Sequence, residues 1–419
     1  MLTYGSVCSG IEAASMAWGC LGWKPAWFSQ YDPEHDYSRG PDFPSAVLAN
    51  HWPDVPNLGD MTKLAASVRA GITPAPDLIV GGTPCQAFSV AGARAGLSDP
   101  RGQLTISYGE LADAVDNSRA AEGKAPAIFV WENVPGVLSS NDNAFGAFLG
   151  LLAGEDCELQ SPGKRWTNAG YVRGPKRAIA WRILDAQYFG VAQRRRRVFV
   201  VASARGGIDP TQILFESDGV RRDTPPSRSA GQVVAALTEN GVGTCGSDDN
   251  QGQAGHLIAM AHGQGGAEIK TDGSAPTLTC NHEAPIAAYG FQQRIARNGR
   301  EDMGDICHTL SAQSGETGKG DAAPCVATPL SVRRLTPIEC ERLQGFPDNH
   351  TLIPVDKRKQ ITAEEYAYLR HHNPALTAEE AYRLAKDGPR YKAIGNSMAV
   401  PVMRWIGRRI AAALSGVNA

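Results

Sequence analysis

No two of the nine cysteines form a C-x-x-C pair, so zinc-ribbon and thioredoxin-type sites have no support. Their scatter suits a reducing compartment, and a cytoplasmic location is expected. No run of about 18 apolar residues occurs, so no membrane-spanning helix is expected. The opening residues Leu2-Thr-Tyr-Gly-Ser-Val7 enter a strand pattern at once, without signal-peptide character. A global excess of cations is also missing: the net charge is −2, so any nucleic-acid contact has to come from a local basic patch. What remains is an ordinary globular composition, 42% hydrophobic and 20% charged over 419 residues. That length suffices for a large core and a second domain.

The chain is organised around Asp77-Leu-Ile-Val-Gly-Gly-Thr-Pro-Cys-Gln-Ala-Phe-Ser89. Asp77 to Val80 reads as a short buried strand, and Gly81-Gly82 lets the backbone turn sharply after it. Pro84 then fixes the backbone beside a single thiol, Cys85. A cysteine at the carboxyl end of a parallel strand sits where open α/β sheets place ligands. That is the position of a presented nucleophile, although a free Cys is also often a small buried hydrophobe.

Other strand ends carry polar groups. Residues 2–23 read strand, tight turn, helix, with Ser9-Gly10 at the turn and Ile11, Met16 and Trp18 on an Ala-rich helix. A second strand, Ala26 to Asp32, ends in polar residues about 20 positions later, where nucleotide-binding units put a ribose contact. Asp60 lies in the turn Asn57 to Thr62, as a candidate ligand contact or a helix N-cap. Ala91 to Gly102 is Gly-rich and basic and reads as a loop able to close over a site. Pro126 to Gly136 is a buried strand ending in Glu132-Asn133, a carboxylate placed to carry a proton. In Gln193-Arg-Arg-Arg-Arg197 an extended backbone points Gln193, Arg195 and Arg197 one way and Arg194 and Arg196 the other. Guanidinium groups there suit phosphates or base carbonyls.

Residues 205–330 change character. Gly, Ser, Thr, Asn and Asp dominate, and a weak repeat of strand, polar loop and returning strand starts near Ala236, Pro276 and His308. Arg294, Arg297, Arg300 and Lys319 make this region a candidate groove reader, with a low-complexity insertion as the alternative. Thr336 caps a helix stopped by Gly345 and Pro347. Thr362 and Thr377 each open a capping box, which gives a helical hairpin over 356–388. A polar turn, Gly395-Asn-Ser397, leads into an amphipathic C-terminal helix.

Pro84-Cys85-Gln86, Glu132-Asn133-Val134, Gln193-x-Arg195-x-Arg197 and Gly395-Asn-Ser397 stand in an order that resembles the DNA (cytosine-5)-methyltransferase family, of bacterial or phage type. Each motif alone is short; the four in order cover nearly the whole chain. The resemblance implies an α/β fold: a doubly wound, mostly parallel sheet, Rossmann-like, with a smaller loop-rich β target-recognition domain. It implies a catalytic domain over 1–204, a recognition domain over 205–332, and a segment 333–419 that returns to the catalytic domain. The implied cofactor is S-adenosyl-L-methionine and the partner double-stranded DNA, with no metal, no membrane and a monomer expected. By resemblance Cys85 attacks C6 of a flipped cytosine, Glu132 holds its Watson–Crick edge, and Arg195 and Arg197 clamp the adduct. Cys8, Ser9, Gly10, Ile11, Glu12, Gln30, Tyr31, Asp60, Met61, Pro84, Leu104, Asn396 and Ser397 match positions around the cofactor. Gln86, Ser89, Arg94, Arg101, Gln193 and Arg194 are the expected DNA contacts.

Gln30 departs from the family, which usually has a Glu paired with the cofactor ribose. On that basis Gln30→Glu is expected to tighten cofactor binding, unless Asp32 or Glu34 substitutes. The helical segment 356–388 has no family role. Alternatives are the same chemistry on tRNA and a catalytically silent DNA-binding relative. A zinc deaminase is rejected, because no second Cys follows Cys85 at the required spacing.

Overall fold

The structure is a computed structural model. It describes residues 1–83, 100–140, 142–216, short strands between 237 and 334, and then 335–355, 361, 363–372 and 374–416. The chain divides into two compact units. The first comprises Met1–Phe189, Arg196–Pro225 and Met398–Ala419; the second comprises Gly190–Arg195 and Pro226–Ser397.

The first unit is built on a seven-stranded sheet in the order β2-β1-β3-β4-β8-β6-β5. Its strands are β1 (Thr3–Val7), β2 (Lys24–Ser29), β3 (Leu78–Gly81), β4 (Ile128–Asn133), β5 (Ala169–Arg173), β6 (Ala178–Asp185) and β8 (Arg196–Ser203). Strands β2, β1, β3 and β4 pair in parallel; β8 runs antiparallel to both β4 and β6, and β5 is antiparallel to β6. Five strands therefore share one direction, and the expected mostly parallel sheet is present.

Period-2 alternation sends β4 side chains to two cores. Phe129 and Trp131 face a cluster with Leu111 and Val115 of helix α4 (Pro100–Ala121) and Phe145 and Phe148 of α5 (Ala144–Ala153). Helix α3 (Leu64–Arg69) packs against α4 in the same cluster. A second group of helices, α1 (Ala13–Trp18), α6 (Pro210–Leu214) and α11 (Val400–Leu414), packs together. There Trp18 Nε1 donates to the Met403 carbonyl at 2.8 Å and meets Tyr4 edge-on, so the buried indole leaves no orphaned donor.

Gly81 lies at the centre of this sheet, paired with Val7 on one side and Trp131 on the other. A Cβ there would overlap the Val7 carbonyl oxygen and come within 2.6 Å of Val7 Cγ2. A neighbouring strand's backbone cannot swing aside as a flexible side chain can. Gly81→Ala is therefore expected to destabilise by about 3 kcal/mol. The check is a lower urea midpoint at unchanged slope; a midpoint equal to wild type would show that the strands can separate at no cost.

The second unit holds β7 (Gln193–Arg194) and short strands β9 (Leu237–Thr238), β10 (Gly241–Val242), β11 (Thr277–Thr279), β12 (Gly290–Gln292), β13 (Cys307–Ser311), β14 (Pro324–Thr328) and β15 (Ser331–Arg334). They form the sheets β10-β9, β11-β13-β7 and β12-β14-β15. The first strands of the sequence repeat fall on β9, β11 and β13, and β11 and β13 pair in parallel. Arg294, Arg297, Arg300 and Lys319 lie outside the described residues.

The helices here are α7 (Pro337–Gln344), α8 (Ala363–His372), α9 (Ala378–Arg383) and α10 (Asp387–Asn396). Thr336 caps α7 as read from sequence, and does so with a full capping box; the capping box at Thr377 also forms, and Thr362 lies outside the described residues. Gly395-Asn-Ser397 is not a free turn. Gly395 and Asn396 finish α10 and Ser397 is its C-cap, because the helical pattern from Asp387 runs unbroken to them. The loop read over 91–102 is also shorter at its end, since α4 begins at Pro100 and proline is well suited to a first helical turn.

Candidate active site

The carboxyl ends of β2, β1, β3 and β4 lie side by side, which is the edge where open α/β sheets bind ligands. Strand β1 leaves the sheet through Cys8, Gly10 and Glu12, all at positive φ. A Cβ built on Gly10 meets nothing within 4 Å, so the turn borders open space.

Ser9 and Ile11 are buried and shape this turn from inside. Ser9 Oγ donates to the Ser6 carbonyl and accepts from the Ser29 N–H, tying β1 to β2. Glu12 caps α1 by accepting from the Ser15 N–H at 3.1 Å, and burial pushes its carboxyl up to about 7. The Cys8 thiol lies 3.5 Å from the Met61 sulfur. Burial, helped by the charge of Asp60, pushes that thiol up to about 12, so Cys8 stays neutral. Asp60 caps the short turn Met61–Lys63 by accepting from the Thr62 N–H. Met61 is in the core, and Leu104 packs partly buried against it.

Gln30 has partners different from those expected. Its Oε1 accepts from the Gly10 N–H at 2.9 Å, and its Nε2 donates to Asp42 Oδ2 at 2.9 Å. Asp42 in turn accepts from the Ser45 N–H, as N-cap of helix α2 (Phe43–His51), and from the Tyr37 hydroxyl. The amide thus bridges the β1 turn to a buried acid, and both of its ends are occupied. A carboxylate in place of Gln30 would lose a donor and face Asp42. Gln30→Glu is therefore expected to lower stability by about 1–3 kcal/mol and not to tighten donor binding. Equal or higher stability in urea titration would remove the Asp42 contact from this account. Next to Gln30, Tyr31 is exposed and stacks on Tyr37, with centroids 5.2 Å apart and planes 5° apart. Asp42 escaped the sequence reading; its only signal was an acid placed before Phe43-Pro44, the pattern of a helix start.

The ends of β3 and β4 are fastened together. Asn133 Nδ2 donates to the Thr83 carbonyl at 2.9 Å, and Trp131 Nε1 donates to Thr83 Oγ1 at 3.1 Å. Glu132 lies almost buried, with Oε1 3.2 Å from Arg197 Nε. Only glycine at position 82 leaves room for it: a Cβ there would be 2.9 Å from both the Glu132 carbonyl oxygen and its Oε2. Strands β3 and β4, with β8 beside them, thus seat a carboxylate–guanidinium pair at the point where the chain proceeds toward Pro84. Pro84, Cys85, Gln86, Ser89 and Arg94 lie outside the described residues, as does the side chain of Arg101.

The expected alternation along the arginine run is visible in burial. Gln193 and Arg195 are buried, Arg194 and Arg196 exposed, and Arg197 half-buried. Of the two expected DNA contacts here, Gln193 is fully buried and Arg194 is exposed. Arg195 donates to the carbonyls of Gly395 and Ser397, at 3.3 and 2.7 Å, and so holds the end of α10. It belongs to the second unit, with Asn396 and Ser397, whereas Glu132 and Arg197 belong to the first.

A family model described as C-5 cytosine-specific DNA methylase matches residues 2–412. The chain belongs to that family. The chain is 46% identical over 473 aligned residues to a protein of Escherichia phage P1 named DNA N-6-adenine-methyltransferase. That alignment covers 99% of this chain but only 61% of the phage protein, so the chain spans about three-fifths of that relative's length. It is 25% identical over 412 residues to the type II methyltransferase M.MspI of Moraxella sp, covering 98% of this chain and 70% of the relative. Among solved structures, the S. pombe Dnmt2 methyltransferase superposes with a TM-score of 0.51 over the whole of both chains at 14% identity, a likeness of fold. Among the described residues, no helix is long and apolar enough to cross a membrane.

Proposed function

We propose that this methylase transfers a methyl group to C5 of a flipped cytosine in double-stranded DNA, with Cys85 as nucleophile and S-adenosylmethionine as donor. The observation that carries the reading is the Glu132–Arg197 pair, seated beside the Gly81–Thr83 segment that runs on into Pro84-Cys85. Only Pro84 separates the Thr83 anchor from Cys85, two residue steps with a reach of about 7 Å at most.

Cytosine C5 is a poor nucleophile within its aromatic ring. In the proposed reaction the Cys85 thiolate adds to C6 while Glu132 holds a proton at N3, which turns C5 into an enamine carbon. Arg197, kept in place by Glu132, holds the O2 side of the ring. After C5 is methylated its proton is lost, and the electron pair returns to the C5–C6 bond and expels the Cys85 thiolate. A thiol serves both steps because thiolate is a good nucleophile and a good leaving group. The target atom is inaccessible within a duplex, so the base is flipped out.

The residues at the β1 and β2 ends fit the proposed donor. The turn at Gly10 opens on free space, Tyr31 offers an exposed aromatic ring, and Asp60 supplies a nearby carboxylate. When bound, S-adenosylmethionine supplies a methyl group made electrophilic by its sulfonium. Cys8 to Glu12 would line the turn in the first unit; Asn396 and Ser397 belong to the second unit and are carried as donor contacts by the family resemblance alone. Arg195 is then a positioning residue, which restrains Gly395 and Ser397 rather than touching the base. Residues 226–334 would read the target sequence. A monomer in the cytoplasm of a bacterial cell, host- or phage-encoded, is the setting this reading requires.

The name of the phage P1 relative raises a second reading, methylation of adenine N6. That amine needs no covalent thiol step, so the readings differ in product. Duplex DNA and tRNA are each incubated with donor, and their nucleosides are separated by mass spectrometry. The expected product is 5-methyldeoxycytidine from duplex DNA. N6-methyldeoxyadenosine instead, or modified tRNA beside unmodified DNA, would overturn the proposal.

A further inference from the structure

The first unit has a polar cleft of about 530 Å³ at the other end of its sheet. Its walls are the connection from β5 to β6, from Arg173 to Ala178, and the loop after β8, from Ser203 to Asp209. Register fixes its place: Arg173 pairs with Ala178, Ala178 with Ser203, and Ser203 with Ile128 at the start of β4. Glu132 and Asn133 are at the opposite end of β4. Five residue steps at about 3.3 Å each put the two ends roughly 17 Å apart along the strand. A group bound in the cleft is therefore not part of the reacting nucleotide.

The cleft is cationic. Arg173, Lys176, Arg177 and Arg205 line it, against a single carboxylate, Asp209. The acids behind the wall are already engaged. Asp113 pairs with Lys176 and Arg177, Asp116 with Arg177, and Asp77 with Arg119. Asp209 accepts from the Thr211 N–H as the N-cap of α6. Arg173 and Arg205 have no carboxylate partner among the described residues. Arg173 is exposed; Arg205 is half-buried, and its Nε is shut off from solvent with no acceptor. Burial, and then the charge of Arg119, lower the Arg205 pKa, while the charges of Asp77 and Asp116 oppose the shift. A buried donor left without an acceptor is unfavourable, and an incoming anion would supply one.

We propose that this cleft is a second anion site, in which Arg205 and Arg173 grip a phosphate group away from the site of methyl transfer. Guanidinium donors match phosphate oxygens in pairs, and the volume suits a mononucleotide-sized ligand. The phosphate comes either from a small phosphate ester or from DNA backbone beyond the target site. A protein of net charge −2 gains most from such a local pair when it meets a polyanion.

The test compares the full-length protein with the double variant R173Q/R205Q. Inorganic phosphate and deoxyadenosine monophosphate are titrated by calorimetry, and a 40-base-pair duplex by fluorescence anisotropy across a salt series. A small-ligand site is read as phosphate or nucleotide binding that weakens at least 10-fold in the variant while duplex affinity holds. A DNA site is read as weaker duplex binding and a log–log salt slope that falls by about 2, since each lost phosphate contact removes about 0.9. Either result supports the site. If no probe distinguishes the variant from wild type at matched circular dichroism, the site does not exist. The single variant R173E alters only an exposed side chain and gives the same readout if R205Q fails to fold. Because neither residue is placed in the methyl-transfer site, the product assay on duplex DNA tests the function separately.

Discussion

Cys85→Ala is expected to abolish both turnover and the capture of a duplex carrying 5-fluorocytosine at the target site. Fluorine at C5 cannot leave as a proton does, so the wild-type adduct should persist through denaturing electrophoresis, provided donor is present. Removing a covalent nucleophile is expected to lower kcat by about 10⁴-fold or more, as when other enzymes lose theirs. Among the described residues of the first unit, no neighbouring thiol is placed to stand in. Cys8 is at the end of the adjacent strand, but burial and Asp60 keep it protonated. Cys20, Cys157 and Cys340 are on surfaces or in other cores of the described structure. Binding to unsubstituted duplex should survive the change, because alanine removes only the sulfur. A captured complex with Cys85→Ala, or none with wild type, would refute the covalent route.

Glu132→Gln should be the next most damaging substitution, with kcat lower by about 10²–10⁴-fold, the usual worth of a positioned proton carrier. Gln has the same shape and can still accept a hydrogen bond from Arg197 Nε, so the β3–β4 frame should hold. It cannot deliver a proton to N3. Donor affinity measured by calorimetry should therefore stay near wild type while single-turnover methylation collapses. Glu132→Ala is the less informative variant, because it also strips Arg197 of its counter-ion. If Glu132→Gln methylates within about threefold of wild type, the carboxylate is only a structural partner of Arg197 and proton transfer at N3 needs another source.

Much of this arrangement could be read from sequence, for identifiable reasons. The strands before Gly81 and Glu132 are short apolar runs bounded by turn residues, and burial in a parallel sheet demands that pattern. The capping boxes at Thr336 and Thr377 are local, needing only residues three apart. The arginine alternation followed from strand geometry alone. What escaped was tertiary. Gln30 was read as facing a ligand from its position at the end of β2, and the contact its amide makes with Asp42, twelve residues on and fixed by a helix cap, had no signal in the local sequence. Gly395 and Asn396 looked like a loop because of their composition, yet α10 carries them and Arg195 binds the carbonyls at its end. No local pattern announces a hydrogen bond across 200 positions of sequence.

The Trp18–Met403 bond joins residues 385 positions apart. Helix α11 supplies one side of this contact and α1 the other, so one layer of the first unit is encoded in two widely separated stretches. While the protein is being synthesised, the indole of Trp18 waits for a partner until residues 400–414 have left the ribosome. The nascent chain must carry an open apolar face while the 385 positions between the two are translated, and that interval is when chaperone capture or aggregation would compete with folding.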